Sequence, residues 1–166
     1  MEERKGSADA AKNPTTTEGT SERELVVRRT LSAPARLVFE AWTNAEIFKR
    51  WWVPKSCGLT LLSCEMDVRV GGRYCLEFRY EASTMKFFGT YREVTLPSRL
   101  VWTNEEGEGG VTLTTVTFRE TEGKTALVVH DLHPSKEALE AALASGAREG
   151  MSETLDQLEE LLISLG

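Results

Sequence analysis

No apolar run in this sequence approaches the roughly 20 residues that a membrane-spanning helix needs; the longer ones, such as "ALVV" at 126–129, are strand-sized. A helical membrane span is therefore not expected. Basic residues never cluster beyond a pair and the net charge is −6, so a phosphate backbone finds no positive footprint and nucleic acid is not an expected partner. Cysteine is scarce. Cys57, Cys64 and Cys75 are odd in number and lack CxxC spacing, which points to reduced, small-hydrophobe thiols and away from a disulfide framework or a zinc site. Histidine is scarcer still: His130 and His133 are the only two, and on a strand positions three apart point to opposite faces, so no metal site is expected. There is no Gly-x-Ser-x-Gly and no Cys placed in a motif with His, and "GEGG" at 107–110 lacks the following helix that a phosphate cradle needs. No catalytic residue and no cofactor are assigned. The first residues lack the apolar core of a signal peptide, which makes a cytoplasmic location the default expectation.

What is present is ordinary globular material. The 166 residues are 40% hydrophobic and 28% charged, enough for one domain with a real core. Residues 1–22 are rich in Thr, Ser, Gly and charge and nearly empty of large apolar groups; such a segment cannot offset its ordering entropy and reads as a disordered tail before a single domain at 23–166. From Glu24 the sequence alternates, with Leu25, Val27, Arg29 and Leu31 on one face. "SAPARLVFEAW" follows as a short helix with Ser32 as expected N-cap and Pro34 in its first turn. "TNAE" at 43–46 reads as a capping box opening a second short helix through Phe48 to Trp51 and Trp52, which Pro54 ends. Adjacent helical residues lie about 100° apart, so one indole turns into the core while its neighbour stays at the edge; Trp52 is the one expected to be more buried.

The middle of the chain is strand after strand, with turn residues between. "RYCLEFRY" alternates Tyr74, Leu76 and Phe78 against Arg73, Cys75 and Glu77, one apolar face and one polar face, and short connections imply an antiparallel meander. From Ser135 the pattern is helical; Met151, Leu155, Leu158, Leu162 and Leu165 form a stripe that has to be buried, while Gly146 and Gly150 predict a kink or a break into a shorter first helix. The fold class expected is α+β: a curved antiparallel sheet of about seven strands wrapped round a long C-terminal helix, with two short helices after strand one. This helix-grip arrangement leaves a space between sheet and helix.

The stretches "RTLSAPARLVFEAWTNAEIFKRWWVP" (29–54), "MDVRVGGRY" (66–74), "GTYREVTLPSRLVWT" (89–103), "VTFRE" (116–120) and "LDQLEELL" (155–162) occur in an order that resembles the bacterial homologues of the C-terminal domain of the activator of the heat-shock-protein-ninety ATPase. That family is a branch of the START-related, birch-pollen-allergen-like superfamily. The resemblance implies the helix-grip fold. For function it implies a range, since the superfamily includes lipid carriers, hormone receptors, polyketide cyclases and co-chaperones. Relatives often carry Gly-Trp before the Leu-Asp-x-Leu of the last helix, where this chain has Gly150-Met151.

Candidate site residues follow from both readings. Arg29, in phase with an apolar strand face, must meet either an anionic or carbonyl group of a ligand or a carboxylate such as Asp67 or Glu77, because an unpaired buried charge is too costly. Asp67 and Arg69 share a strand face ahead of Gly71-Gly72, and read as a salt-bridged clasp between that strand end and the short helices, a catalytic pair being the alternative. His130 is a candidate cavity-facing polar handle. Trp52, Tyr74, Phe78, Phe87, Tyr91, Trp102 and Met151 are candidates to line a cavity as well as to fill a core. The expected function is the holding of an apolar or amphipathic small molecule between sheet and helix, by a monomer or homodimer. The alternatives are a chaperone-associated interaction domain and a cyclase- or hydrolase-type enzyme using Asp67 or His130.

Overall fold

A computed structural model describes residues 15–107 and 109–165. Eight antiparallel strands form one sheet: β1 (Thr16–Ser21), β2 (Glu24–Leu31), β3 (Thr60–Met66), β4 (Arg73–Tyr80), β5 (Ser83–Thr95), β6 (Arg99–Asn104), β7 (Thr112–Thr121) and β8 (Lys124–Leu132). Their spatial order is β1-β2-β8-β7-β6-β5-β4-β3. Strands β3 to β8 are the expected meander. The helices α1 (Ala35–Thr43) and α2 (Ala45–Phe48) carry the chain from β2 to the far edge of the sheet at β3. Strand β1 is a departure from the sequence reading, which gave residues 1–22 to a disordered tail: Thr16–Ser21 pair with β2 as an edge strand. Backbone hydrogen bonding to a neighbouring strand needs no apolar side chains, so composition could not show it. Residues 1–14 of that tail lie outside the described residues.

Both helix starts differ in detail from the sequence reading. Helix α1 begins at Ala35, and its cap comes from across the fold, where the Ala35 N–H donates to Glu120 Oε1 at 2.9 Å; Ser32 does not cap it. For α2 the cap is Asn44, whose Oδ1 accepts from Glu46 N and Ile47 N at 2.9 and 3.2 Å. The Thr43 hydroxyl is spent on Phe39 O, one turn back. At the other end of the chain α3 (Lys136–Ala144) and α4 (Ala147–Leu165) are separated at Gly146, whose φ of +92° is a conformation that side-chain-bearing residues avoid. Gly150 lies inside α4 and does not break it.

Two sets of contacts hold α4 in the grip of the sheet. Leu155, Leu158 and Leu162 are fully buried in a core shared with Val38, Trp42, Leu100, Val116 and Leu127, whereas Met151 is half-buried and Leu165 exposed. Polar side chains of α4 complete the attachment. Gln157 Nε2 donates to the carbonyls of Trp51 and Val53, both at 2.9 Å, and its Oε1 accepts from Lys55 N. The Thr154 hydroxyl donates to Trp52 O, and Glu153 accepts from Ser56 N. The Trp-Trp-Val-Pro segment is thus a turn beyond the end of α2, tied to α4. Helix α2 stops at Phe48, before the tryptophans, and Pro54 begins the 3-10 turn Lys55–Cys57 where the sequence reading had it ending α2.

Within this loop Trp51 is the buried ring and Trp52 the partly exposed one, the reverse of the sequence expectation. Trp51 N and Trp52 N both donate to Phe48 O, so the backbone still turns here, and packing together with the Trp51 hydrogen bond decides which ring enters the core. Trp51 Nε1 finds Ala41 O at 3.0 Å, which satisfies its only polar atom in the core. Its indole packs edge-on to Trp42 at 4.9 Å, and Trp52 stacks on Phe48 at 4.8 Å.

Arg29 makes the remaining attachment. Its Nη1 donates to Asp156 Oδ1 at 2.7 Å and to Thr15 Oγ1 at 2.8 Å, and its Nη2 donates to Glu159 Oε1 at 2.6 Å. Pairing with a carboxylate is one of the two outcomes the strand phase requires, but the partners are on α4 and are neither Asp67 nor Glu77. Removing one member of a buried ion pair leaves the other uncompensated, at a cost of about 3–5 kcal/mol. Arg29→Met is therefore expected to lower the unfolding free energy by that much in denaturant titration, and Arg29→Met with Glu159→Leu to recover much of it. Gln157→Ala removes the hydrogen bonds to the 51–55 backbone and is expected to cost about 1–3 kcal/mol. A cost below the resolution of the same titration would show that these bonds do not anchor the loop.

Candidate functional site

The concave face of the sheet is set by the period of two. Leu127, Val129 and Asp131 of β8, Thr112, Thr114 and Val116 of β7, Trp102 and Asn104 of β6, and Tyr74, Leu76 and Phe78 of β4 point inward in phase, and His133 continues the β8 series. Between this face, the Trp52–Pro54 loop and the α3–α4 junction lies a recess of about 510 Å³. Trp52, Phe78, Phe87, Trp102, Val129 and Met151 form its apolar wall. Its polar end is made by Asn104, Glu106, Thr112, Thr114, Asp131 and His133. A smaller hollow of about 50 Å³, bounded by Trp42, Tyr74 and Tyr91, shares Trp52, Phe87, Trp102 and Asn104 with it.

The polar end is organised as a chain of hydrogen bonds. The Tyr74 hydroxyl lies 2.8 Å from Thr103 O and 2.9 Å from Asn104 Oδ1, which also accepts from Trp102 Nε1 at 3.3 Å. Asn104 Nδ2 donates to Thr114 Oγ1 at 2.8 Å, and the Thr114 hydroxyl donates to Asp131 Oδ1 at 2.6 Å. Direct cross-strand pairing of Trp102 with Thr114 and of Thr114 with Asp131 puts these groups in reach of one another. His133 is pinned through its backbone: its N–H donates to Arg23 O at 2.8 Å and its carbonyl accepts from Arg23 Nε at 2.9 Å. Its ring is nine-tenths buried, with Nδ1 3.4 Å from Thr112 Oγ1 and, among the described residues, no hydrogen-bond partner for Nε2.

Burial dominates the electrostatics here. It pushes the Asp131 carboxyl above its ordinary range, against the Thr114 hydrogen bond and the nearby His133 and His130, which pull the other way. It also lifts the hydroxyls of Tyr74 and Tyr91 well above theirs, with Glu106 adding to the effect at Tyr74 and Cys64 at Tyr91.

Of the sequence-derived site residues, Trp52, Phe78, Phe87, Trp102 and Met151 lie on the recess, and Tyr74 and Tyr91 on the adjoining hollow. Arg29 and His130 do not. Arg29 is engaged by α4 as described, and His130 sits on the opposite face of β8, where its Nε2 lies 2.6 Å from Glu24 Oε2. Neither can orient a ligand in the recess, which corrects the expectation for both. Asp67 and Arg69 are exposed and paired with each other, Arg69 Nε lying 3.0 and 2.9 Å from the two carboxylate oxygens. The clasp their segment makes is to β5 and not to the short helices: Gly71 N donates to Tyr91 O and Tyr91 N to Gly72 O, both at 2.8 Å. Gly72 is required there, since a Cβ would stand 2.0 Å from Asp67 O. Among the described residues no group of three His, Cys, Asp or Glu side chains converges as a metal site, and no helix is long and apolar enough to cross a membrane.

Asn104, Thr114, Asp131 and His133 are the functional candidates that sequence reasoning missed. The phase of Leu127 and Val129 extends to Asp131 and His133, so the alternation contained them; attention to His130 put the wrong histidine on the concave side.

With this geometry in place the comparisons with known proteins take on structural meaning. The profile of the family described as "Activator of Hsp90 ATPase homolog 1-like protein" matches residues 32–163. The chain belongs to this family. No protein among curated sequences matches it. Its helix-grip fold is shared with a crystallised protein from Nitrosomonas europaea (28% identity over 88% of this chain and 97% of that one, TM-score 0.79) and another from Rhodobacter sphaeroides (24%, 90% and 99%, TM-score 0.84). The solution structure of the AHSA1-like protein from Aeromonas hydrophila has the same fold at 19% identity, covering 83% of this chain and 93% of that one, with a TM-score of 0.69. The fold of the family is compatible with a ligand-binding domain.

Asp131 gives this site a pH signature. The unfolded chain ionises it near the ordinary 3.8, whereas the folded chain keeps the proton to higher pH. Between those values the folded state binds more protons, so this residue's contribution to stability falls as pH rises through the interval. Asp131→Asn abolishes the titration and keeps an oxygen for Thr114. The stability of the variant relative to the unaltered chain is expected to rise from acid to neutral pH, as read by denaturant unfolding at a series of pH values. A difference that is flat with pH would mean that the carboxyl is not desolvated.

Proposed function

We propose that this protein is a small-molecule binding protein that holds an apolar or amphipathic ligand in the recess between the sheet and α3–α4. The observation that carries the reading is the recess itself: about 510 Å³, within the 300–1,000 Å³ range of small-molecule sites, apolar along one wall and polar at one end. Small residues keep it open. Ala142, Ala147 and Gly150 face it from the helices, and Met151 stands where relatives often carry Trp. Binding at the domain's own fold-defining seam also supplies a way for a ligand to stabilise the whole chain, since anything bound only by the folded state adds free energy to it.

The family description supports a second reading, association with a heat-shock-protein-ninety chaperone. A pull-down and an ATPase assay with the bacterial chaperone separate the two: stimulation by the unliganded protein at stoichiometric amounts favours the second reading, and its absence with ligand binding present favours the first.

Ligand screening by thermal shift tests the proposal directly. A ligand at 100 times its dissociation constant should add about 2.7 kcal/mol. Met151→Trp puts a large ring into the recess and is expected to weaken binding at least tenfold, with the folded state kept. Silence across apolar and amphipathic classes, or binding unchanged in Met151→Trp, would count against this site.

A further inference from the structure

The polar end of the recess has a specific chemistry. Among the described residues, no lysine or arginine lines either the recess or the adjoining hollow. Arg29, the cation nearest in strand phase to the concave face, is engaged by Asp156 and Glu159. The ionisable groups at the polar end are Glu106, Asp131 and His133, so a ligand carboxylate or phosphate would be desolvated beside two acids with no fixed positive charge to meet it.

The hydrogen-bond inventory narrows the head group further. Asn104 is saturated: its Oδ1 accepts from Tyr74 and Trp102, and its Nδ2 donates to Thr112 O and Thr114 Oγ1. The Thr114 hydroxyl is used in both directions, accepting from Asn104 and donating to Asp131. Glu106 accepts from Phe88 N. Capacity remains at the second oxygen of Glu106 and, side by side, at Asp131, where Thr114 occupies only Oδ1, and His133, whose buried Nε2 has no partner among the described residues. Asp131 and His133 stand at alternate positions of one extended run and face the same side, about 7 Å apart along the chain.

We propose that the recess takes an uncharged, hydroxyl-bearing molecule with an aromatic or alicyclic body, its hydroxyl set between Asp131 and His133, and that it discriminates against anionic head groups. This rests on the binding reading above. A hydroxyl donates its single hydrogen to the Asp131 carboxyl, and its oxygen accepts from His133 Nε2 in the ring tautomer that carries the proton there. Nε2 is covered by its neighbours, so this contact requires the ring, whose Nδ1 lies 3.4 Å from Thr112 Oγ1, to turn toward the ligand. An ammonium head could also donate to Asp131, but it would have to leave water for a recess walled largely by apolar side chains. The flat rings of Trp52, Phe87 and Trp102 on the apolar wall suit a rigid ring system better than a free alkyl chain, which would lose more rotational entropy on binding.

Three probes that differ only at the head group test this: 1-pyrenemethanol, pyrene-1-carboxylate and 1-pyrenemethylammonium, with pyrene as the headless reference. Energy transfer from Trp52 and Trp102 to pyrene reads binding to the unaltered chain, so the comparison needs no variant. The alcohol is expected to bind at least tenfold more tightly than the carboxylate, the ammonium and pyrene. In Asp131→Ala and His133→Phe the alcohol should fall to within about threefold of pyrene measured on the same variant. A carboxylate that binds as well as the alcohol, or better, overturns the discrimination. An ammonium that binds more tightly overturns the hydroxyl assignment in favour of a cation site, and an alcohol advantage that survives both substitutions overturns the role of the two residues. Failure of all four probes, pyrene included, strikes instead at the binding reading on which the proposal rests.

Discussion

Helix α4 has to satisfy two partners that lie far apart in the sheet, and most of the molecule's shape follows from that. On one side its Asp156 and Glu159 hold the Arg29 guanidinium of β2; on the other its Glu153, Thr154 and Gln157 hold the backbone of residues 51–56, which leads into the edge strand β3. Leucines at 155, 158 and 162 fill the space between these polar anchors. Hydrogen bonds fix position more sharply than apolar contact does, because they need a particular distance and direction, whereas apolar burial is non-directional. The sheet's curvature and the loop's conformation are thereby set against a common reference.

The recess is a consequence of where α4 is anchored and where it is not. Its ties run from Glu153 to Glu159, whereas its first turn presents Ala147, Gly150 and Met151 to the sheet. Close packing would require bulk there, and the sequence provides little. Opposite this opening the concave face changes character along its length. The aromatic end is closed by Trp42, Tyr74, Tyr91 and Trp102, and the polar end by Thr112, Thr114, Asp131 and His133. Asn104 joins the two, with all of its hydrogen-bonding capacity used inside the protein.

Much of this was legible in the chain. Alternation identified the meander, Pro34 and the apolar spacing identified α1, and Gly146 identified the break before the last helix. Even the burial of Arg29 was readable from its phase with Leu25, Val27 and Leu31. Its partners were not, because a side chain's phase tells which way it points and says nothing of what stands opposite. The same gap explains His130: its own strand was correctly recognised, yet which of the two faces of β8 would be covered by α4 depended on how β8 pairs with β2 and β7. The tryptophans failed for a different reason. A helix expected to reach Trp52 ends at Phe48, and in the turn beyond it ring placement is decided by the available hydrogen bond, here Ala41 O for Trp51.

By itself, the sequence determined the periodicities: which residues share a face, where the chain must turn, and that one long amphipathic helix needs a sheet to cover it. These are local properties, written in spacings of two and of three to four residues. The tertiary structure alone decided the pairings across the fold: Arg29 with α4, Gln157 with the tryptophan loop, Asp131 with Thr114, and His133 with Arg23. Such pairings join residues far apart in the chain, so they arise from the geometry of packed elements and leave no trace in local spacing.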